Sequence, residues 1–206
     1  MRKYSIGELI ADSVTHGIGA VFSIVGLILI LIKANTFIGY LSGAIYGFCL
    51  IFLYISSTLF HSFPENFKKT RAVFQRLDHS GVFLLIVGTY TPIIIYALSF
   101  EKAIIYLFVM WLLTAVGIIF KSIWISRFKK LHLLIYLLMG WSVVFYWQDV
   151  YGFIKDYTLL LVLGGLAYTV GVVFYLAKFK YNHFIWHLFV IAGSVLHFLV
   201  IYQIIR

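Results

Sequence analysis

The sequence predicts an all-α integral membrane protein: a bundle of seven transmembrane helices, N-terminus cytoplasmic and C-terminus extracytoplasmic. Three observations lead there. Of the 206 residues, 63% are hydrophobic and only 11% charged, too few polar groups to cover the surface of a water-soluble domain. Charge-free runs of 18 residues or more occur seven times, and about 20 helical residues, rising roughly 1.5 Å each, cross a hydrocarbon core of about 30 Å. The sixteen Lys and Arg residues alternate between loops, as expected when basic loops are retained in the cytoplasm.

The spans are expected at about 13–32, 40–62, 79–99, 103–121, 131–148, 157–177 and 184–205, forming one domain over 1–206. The first follows Arg2 and Lys3, but no small-residue cleavage pattern follows it at Lys33-Ala34-Asn35, so it reads as a retained span and not a secretory signal. The second holds the single cysteine, Cys49, which rules out an intramolecular disulfide and is read as a packing residue. Gly39, Gly43 and Gly47 in the second span, and Gly164, Gly165 and Gly171 in the sixth, are read as sites of close helix approach. The third span opens at Asp78 after the longest charged connection, which runs from about Pro64. Trp111 and Trp141, deep in the fourth and fifth spans, are read as packing residues, and Trp124 and Trp147, near span ends, as headgroup-level rings. His132 beside Lys129 and Lys130 is read as interfacial. The seventh span carries His183, His187 and His197.

Orientation follows from the basic residues. With the N-terminus inside, the cytoplasmic side receives Arg2, Lys3, Lys68, Lys69, Arg71, Arg76, Lys121, Arg127, Lys129, Lys130, Lys178 and Lys180. The other side receives only Lys33, Lys102, Lys155 and Arg206. The net charge of +9 is thereby accounted for by topology and anionic headgroups. It gives no support to a nucleic-acid partner, and membrane lipids are the expected surroundings.

The informative polar residues are those that seven crossings bring to one depth. His61 closes the second span, Asp78 opens the third, and His183 and His187 open the seventh, all at the cytoplasmic end. His183 and His187 are four apart, so both imidazoles lie on one helix face. With His61 from another helix they make three neutral nitrogen ligands with an open fourth position, a catalytic type of zinc site. His183-Phe184-Ile185-Trp186-His187 has the spacing of a zinc-protease helix but Phe where that motif's general-base Glu would stand. Asp78 is then the candidate base and Ser57, one turn before His61, the candidate to orient a reacting carbonyl. Glu8, Asp12 and His16 form one stripe at spacings of four and could support the ligands from behind. On spacing alone other readings stay open: an interfacial histidine pair, a helix-capping His61, an Asp78 favoured by the helix dipole, a Ser57 bonded to its own helix, and a solvated start to the first helix. The joint reading is favoured because ionisable groups near hydrocarbon are costly and mark function. His197 lies about 15 Å further along the seventh helix than His187, too deep for the same ion, and is read as an intramembrane hydrogen-bonding residue. His79, rotated about 100° from Asp78, cannot point with it at one ion.

Ser56-Ser57-Thr58-Leu59-Phe60-His61, then Leu77-Asp78-His79-Ser80-Gly81-Val82-Phe83 running into Gly88-Thr89-Tyr90-Thr91-Pro92, then His183-x-x-x-His187 followed by His197, resemble the hemolysin III family. That family groups with the progestin and adipoQ receptors and, more distantly, with alkaline ceramidases. The similarity spans essentially the whole chain, including Glu8, Asp12 and Thr15-His16-Gly17. The resemblance implies a seven-helix bacterial plasma-membrane protein with zinc near the cytoplasmic face, bound by His61, His183 and His187. It also implies that Asp78 reaches the zinc through water, with Ser57 beside it. Asp12 stands where bacterial relatives often have Asn, and the long N-terminal domain of the animal receptors has no counterpart here, which argues against hormone reception.

The function expected first is zinc-dependent, ceramidase-like hydrolysis of a lipid amide or ester in membrane lipid homeostasis, with substrate entering from the bilayer. The second is a non-enzymatic regulator or sensor with a structural zinc. Pore-forming cytolysis ranks last, because no row of polar residues lines the midplane, and the seventh span has no Lys for a retinal Schiff base.

Overall fold

The structure, a computed structural model, describes residues 5–64, 66–125 and 127–206, with Lys129 described by its backbone alone. Arg2, Lys3 and Glu65 lie outside the described residues. Those described form helices and no strands: α1 (Ile6–Lys33), α2 (Phe37–Ser62), α3 (Lys68–Ala97), α4 (Phe100–Ile123), α5 (Lys129–Gly140), α6 (Trp147–Ile154), α7 (Thr158–Leu176) and α8 (Asn182–Ile204).

Local chemistry sets the ends. Ser5 and Glu8 form a reciprocal capping box at the start of α1. Thr36 caps α2 by accepting from the Gly39 amide at 3.0 Å. The close of α2 has a tertiary cap: the Arg71 guanidinium donates to the Phe60 and Phe63 carbonyls at 3.1 and 2.8 Å. α3 carries Pro92 in its interior, whose missing donor is tolerated because neighbouring helices enclose this stretch.

Helices α1 and α3 flank α2, α7 packs on α8, and α8 leans on α1 and α3. α3 is the innermost: 67% of its most apolar window is buried, against 28% in α4, which faces outward. α2 and α3 meet where side chains are smallest. A Cβ at Gly81 would stand 2.9 Å from the Leu53 backbone, and one at Gly88 2.7 Å from Cys49. The glycines expected to permit close approach do so at Gly47 against Leu27 and Gly171 against Trp186 and Phe189, whereas a Cβ at Gly165 would only touch Trp141.

Among the described residues six helical segments are long and apolar enough to cross a membrane, and the fifth, Lys130–Leu176, is 47 residues long. The span expected at 131–148 falls within it, and so does that expected at 157–177 but for its last residue. α5 stops at Gly140 and the chain continues through 3₁₀ turns at Ser142–Tyr146 and Lys155–Tyr157 around α6. The break forms because neighbouring helices take over the freed backbone groups. Tyr90 of α3 donates its hydroxyl to the Gly140 carbonyl, and Ser142 donates to the Met139 carbonyl at 2.7 Å while pairing with Tyr106 of α4.

Candidate metal centre

The last turn of α2 and the first two turns of α8 face each other, and α1 closes the gap between them. α8 begins at a left-handed Tyr181 (φ 62°). It is anchored by Asn182, whose amide donates to the Phe174 and Ala177 carbonyls at the end of α7, at 3.1 and 2.9 Å. The Glu8 carboxylate ties α1 to the same point: one oxygen accepts from the Tyr181 amide at 2.9 Å, the other from the Ser5 amide and hydroxyl. Helix ends so fixed present side chains in a fixed geometry.

His61, His183 and His187 converge, with one ligand atom of each within 4.8 Å of the others. Their ring centroids are 4.9 Å (His61–His183), 5.1 Å (His61–His187) and 4.6 Å (His183–His187) apart. His61 and His187 are buried and His183 half-buried. The expected triad thus comes together from helices 120 residues apart in sequence and could hold a metal ion.

Asp12 serves this cluster twice. Its main-chain carbonyl lies 3.2 Å from His187 Nδ1. A carbonyl can only accept, so Nδ1 carries the proton and Nε2 keeps its lone pair for a ligand bond. Its carboxylate stands 3.5 Å from His61 Nδ1. His16 stacks on His187, centroids 3.5 Å apart, and meets Tyr54 edge-on at 5.0 Å.

The fit of a metal can be tested on buried polar atoms. Among the described residues ten buried side-chain N and O atoms lack a hydrogen bond, and seven belong to Asp12, His16, Ser57 and His61. So many unsatisfied groups in one place would be costly in an apolar surround, and a cation with its water fits their donor set: imidazole nitrogens and carboxylate and hydroxyl oxygens.

Asp78 lies within electrostatic range of Asp12, His16, His61 and His183. Its carboxylate stands 3.2 Å from His79 Nδ1, so the neighbour expected to point away turns back onto it. Ser57 is fully buried one turn before His61. It interacts with Asp78, though its hydroxyl makes no hydrogen bond of normal geometry. Glu8 acts at the helix ends, through Ser5 and Tyr181. His197 stands apart: Nδ1 donates to the Gly193 carbonyl at 2.7 Å and the ring stacks on Tyr168. His132, expected at the interface, is 3% exposed and bonded to the Phe128 carbonyl. Sequence reasoning missed Arg71, Asn182 and Tyr54. Arg71 had a visible signal, a cation ten residues after His61, but only its charge was used.

A family described as haemolysin-III related matches residues 8–198. Hemolysin-3 of Bacillus cereus is 39% identical over 198 residues, covering 94% of this chain and 90% of that protein. The Hemolysin-3 homolog of Bacillus subtilis (strain 168) is 38% identical over 200 residues, 95% and 93% of the two chains. The human Monocyte to macrophage differentiation factor is 29% identical over 201 residues, 95% and 84% of the two. The resemblance drawn from the three motifs is borne out over nearly the full length.

Proposed function

The chain belongs to the haemolysin-III-related family, and from that premise we propose a multi-pass membrane protein that binds zinc through His61, His183 and His187 and hydrolyses a lipid amide or ester. The observation that carries this reading is the approach of those three imidazoles to within 4.8 Å of one another, with a carboxylate in electrostatic range. Zinc held there would supply Lewis acidity, polarising a carbonyl and acidifying water. Asp78 accepts the proton from the attacking water and returns it to the leaving group. Ser57 donates a hydrogen bond to the reacting carbonyl oxygen. Asp12 fixes the ring orientation of His187 through its main-chain carbonyl and sets its carboxylate beside His61 Nδ1. The burial of His61 and His187 keeps bulk water away.

The passes number seven, with the N-terminus cytoplasmic and the C-terminus outside, in the plasma membrane. This divides Lys130–Leu176 into two limbs, α5 with α6 outward and α7 returning. Two contacts support the division: Tyr136 donates to the His79 carbonyl at 3.0 Å near the histidine end, and Lys102 pairs with Asp149 at 2.8 Å at the other.

Metal content of the detergent-purified protein beside Ala variants at the three histidines is the first test. Zinc near one per chain in wild type, lost in each variant, is expected, and metal-free wild type would refute the site. The fully loaded protein is then offered a panel of ceramides, phospholipids and acylglycerols. Fatty-acid release abolished in Asp78→Asn, with zinc retained, supports hydrolysis. No release from any of them favours a second reading, a membrane regulator in which zinc staples α2 to α8. The Asp78–His79 contact at 3.2 Å gives that reading its own support, because it occupies the carboxylate structurally.

A further inference from the structure

We propose that the groove between α4 and α5 binds one anionic phospholipid from the leaflet at the histidine end of the bundle. The site is separate from the histidine cluster and does not depend on the chemistry assigned to it.

The groove encloses about 350 Å³ between Leu113, Val116 and Phe120 of α4 and Phe128, Leu131 and Ile135 of α5, with His132 the one ionisable side chain of its wall. It arises because the chain between the two helices turns through a left-handed Phe128 (φ 56°), so α5 sets off at a distance from α4 and the two touch sparsely. Leu113, Val116, Phe120, Phe128 and Leu131 are each 44–52% exposed. They are therefore available to hydrocarbon along its length, as an acyl chain needs.

Cations gather at the end of the groove. Lys121 is buried one turn beyond Gly117, the Arg127 guanidinium lies over the Phe128 ring at 5.5 Å, and Lys130 is exposed at the start of α5. Arg76 of α3 reaches the same end, donating to the Ser122 carbonyl at 2.9 Å. No Asp or Glu occurs between Glu101 and Asp149, so the formal charge of this hairpin is of one sign. The start of α5 has no side-chain cap and no acidic residue in its first turn, which sets Lys130 against the positive end of the helix dipole. A phosphate there would relieve that repulsion, accept from the free amides of the first turn and be drawn by the surrounding cations. Basic loops are also the ordinary mark of topology, but topology alone does not set an acyl-sized groove beneath the charges. The complementarity is therefore to a phosphate with a hydrocarbon tail.

The test uses the full chain in nanodiscs of mixed phosphatidylcholine and phosphatidylglycerol, re-extracted in mild detergent, with retained lipid counted by native mass spectrometry. Wild type should retain phosphatidylglycerol well above its bulk share. Arg127→Gln and Lys130→Gln should each lower that enrichment about fivefold. Filling the groove with Val116→Trp should remove the retained lipid while leaving helix content and bound metal unchanged, and Leu131→Trp fills it from the opposite wall should the first variant misfold. Retained lipid that mirrors the bulk in wild type, or enrichment that survives both charge and groove variants, would overturn the proposal. So would thermal protection by inorganic phosphate equal to that by phosphatidylglycerol, which would make the site one for free phosphate.

Discussion

Asp12 occupies the position from which one residue reaches two candidate ligands, its carbonyl on His187 and its carboxylate near His61. Removing such support costs metal affinity more than stability, so Asp12→Ala should weaken zinc binding about 10–100-fold in chelator competition. Both variants leave the main-chain carbonyl on His187, and Asp12→Asn, which also keeps a polar side chain beside His61, should lose less. Asp78→Asn should hold zinc with little change but reduce any turnover roughly 10²–10⁴-fold, read by initial rates on the responsive lipid. The three histidines were legible in the sequence because spacing of four fixes a helix face and counting crossings fixes a depth. The double use of Asp12 was not, since it depends on how α1 is rotated against α8. The His79–Asp78 contact escaped for a related reason: helical rotation separates Cα–Cβ directions, but a long side chain can fold back.

At the scale of helices, the clearest dependence is that of His61 on Arg71, which caps the carbonyls around it from the next helix. Arg71→Ala should lower stability by roughly 1.5–3 kcal/mol, as expected for losing charged hydrogen bonds, and should lower metal occupancy with it. Gly171→Leu should destabilise by about 1–3 kcal/mol through overpacking, because even a Cβ there would stand 2.8 Å from Phe189 and Trp186; thermal unfolding in detergent measures both. Most helices were legible from apolar runs alone. The break after Gly140 was not, because Ser142, Tyr90 and Tyr106 create it from three different elements, and hydropathy reports composition without regard to such partners. Gly81 and Gly88, which set the approach of α2 and α3, were overlooked because small residues in a polar-to-apolar transition carry no distinctive spacing.

For the whole molecule, a ligand bound only by the folded state stabilises it by mass action. Chelation of zinc should therefore lower the unfolding temperature, by an amount matching about 2.7 kcal/mol when free metal had stood at 100 times its dissociation constant. The His61→Ala protein should show no such drop. Reporter fusions after residues 66, 125 and 180 should read cytoplasmic, and after residues 35, 99 and 156 external. Residues 125 and 180 reading on opposite sides would mean that the long fifth segment crosses once. The proposed ligands come from α2 and α8, and α1 braces them from Asp12. A chain made from its N-terminus onward thus inserts His61 early and must wait for His183 and His187 until nearly everything else has emerged from the ribosome. Metal loading would then be a late event in biogenesis, coming after the bundle has sealed around its core, and a nascent chain stalled before the final helix would offer the ion one of its three proposed ligands.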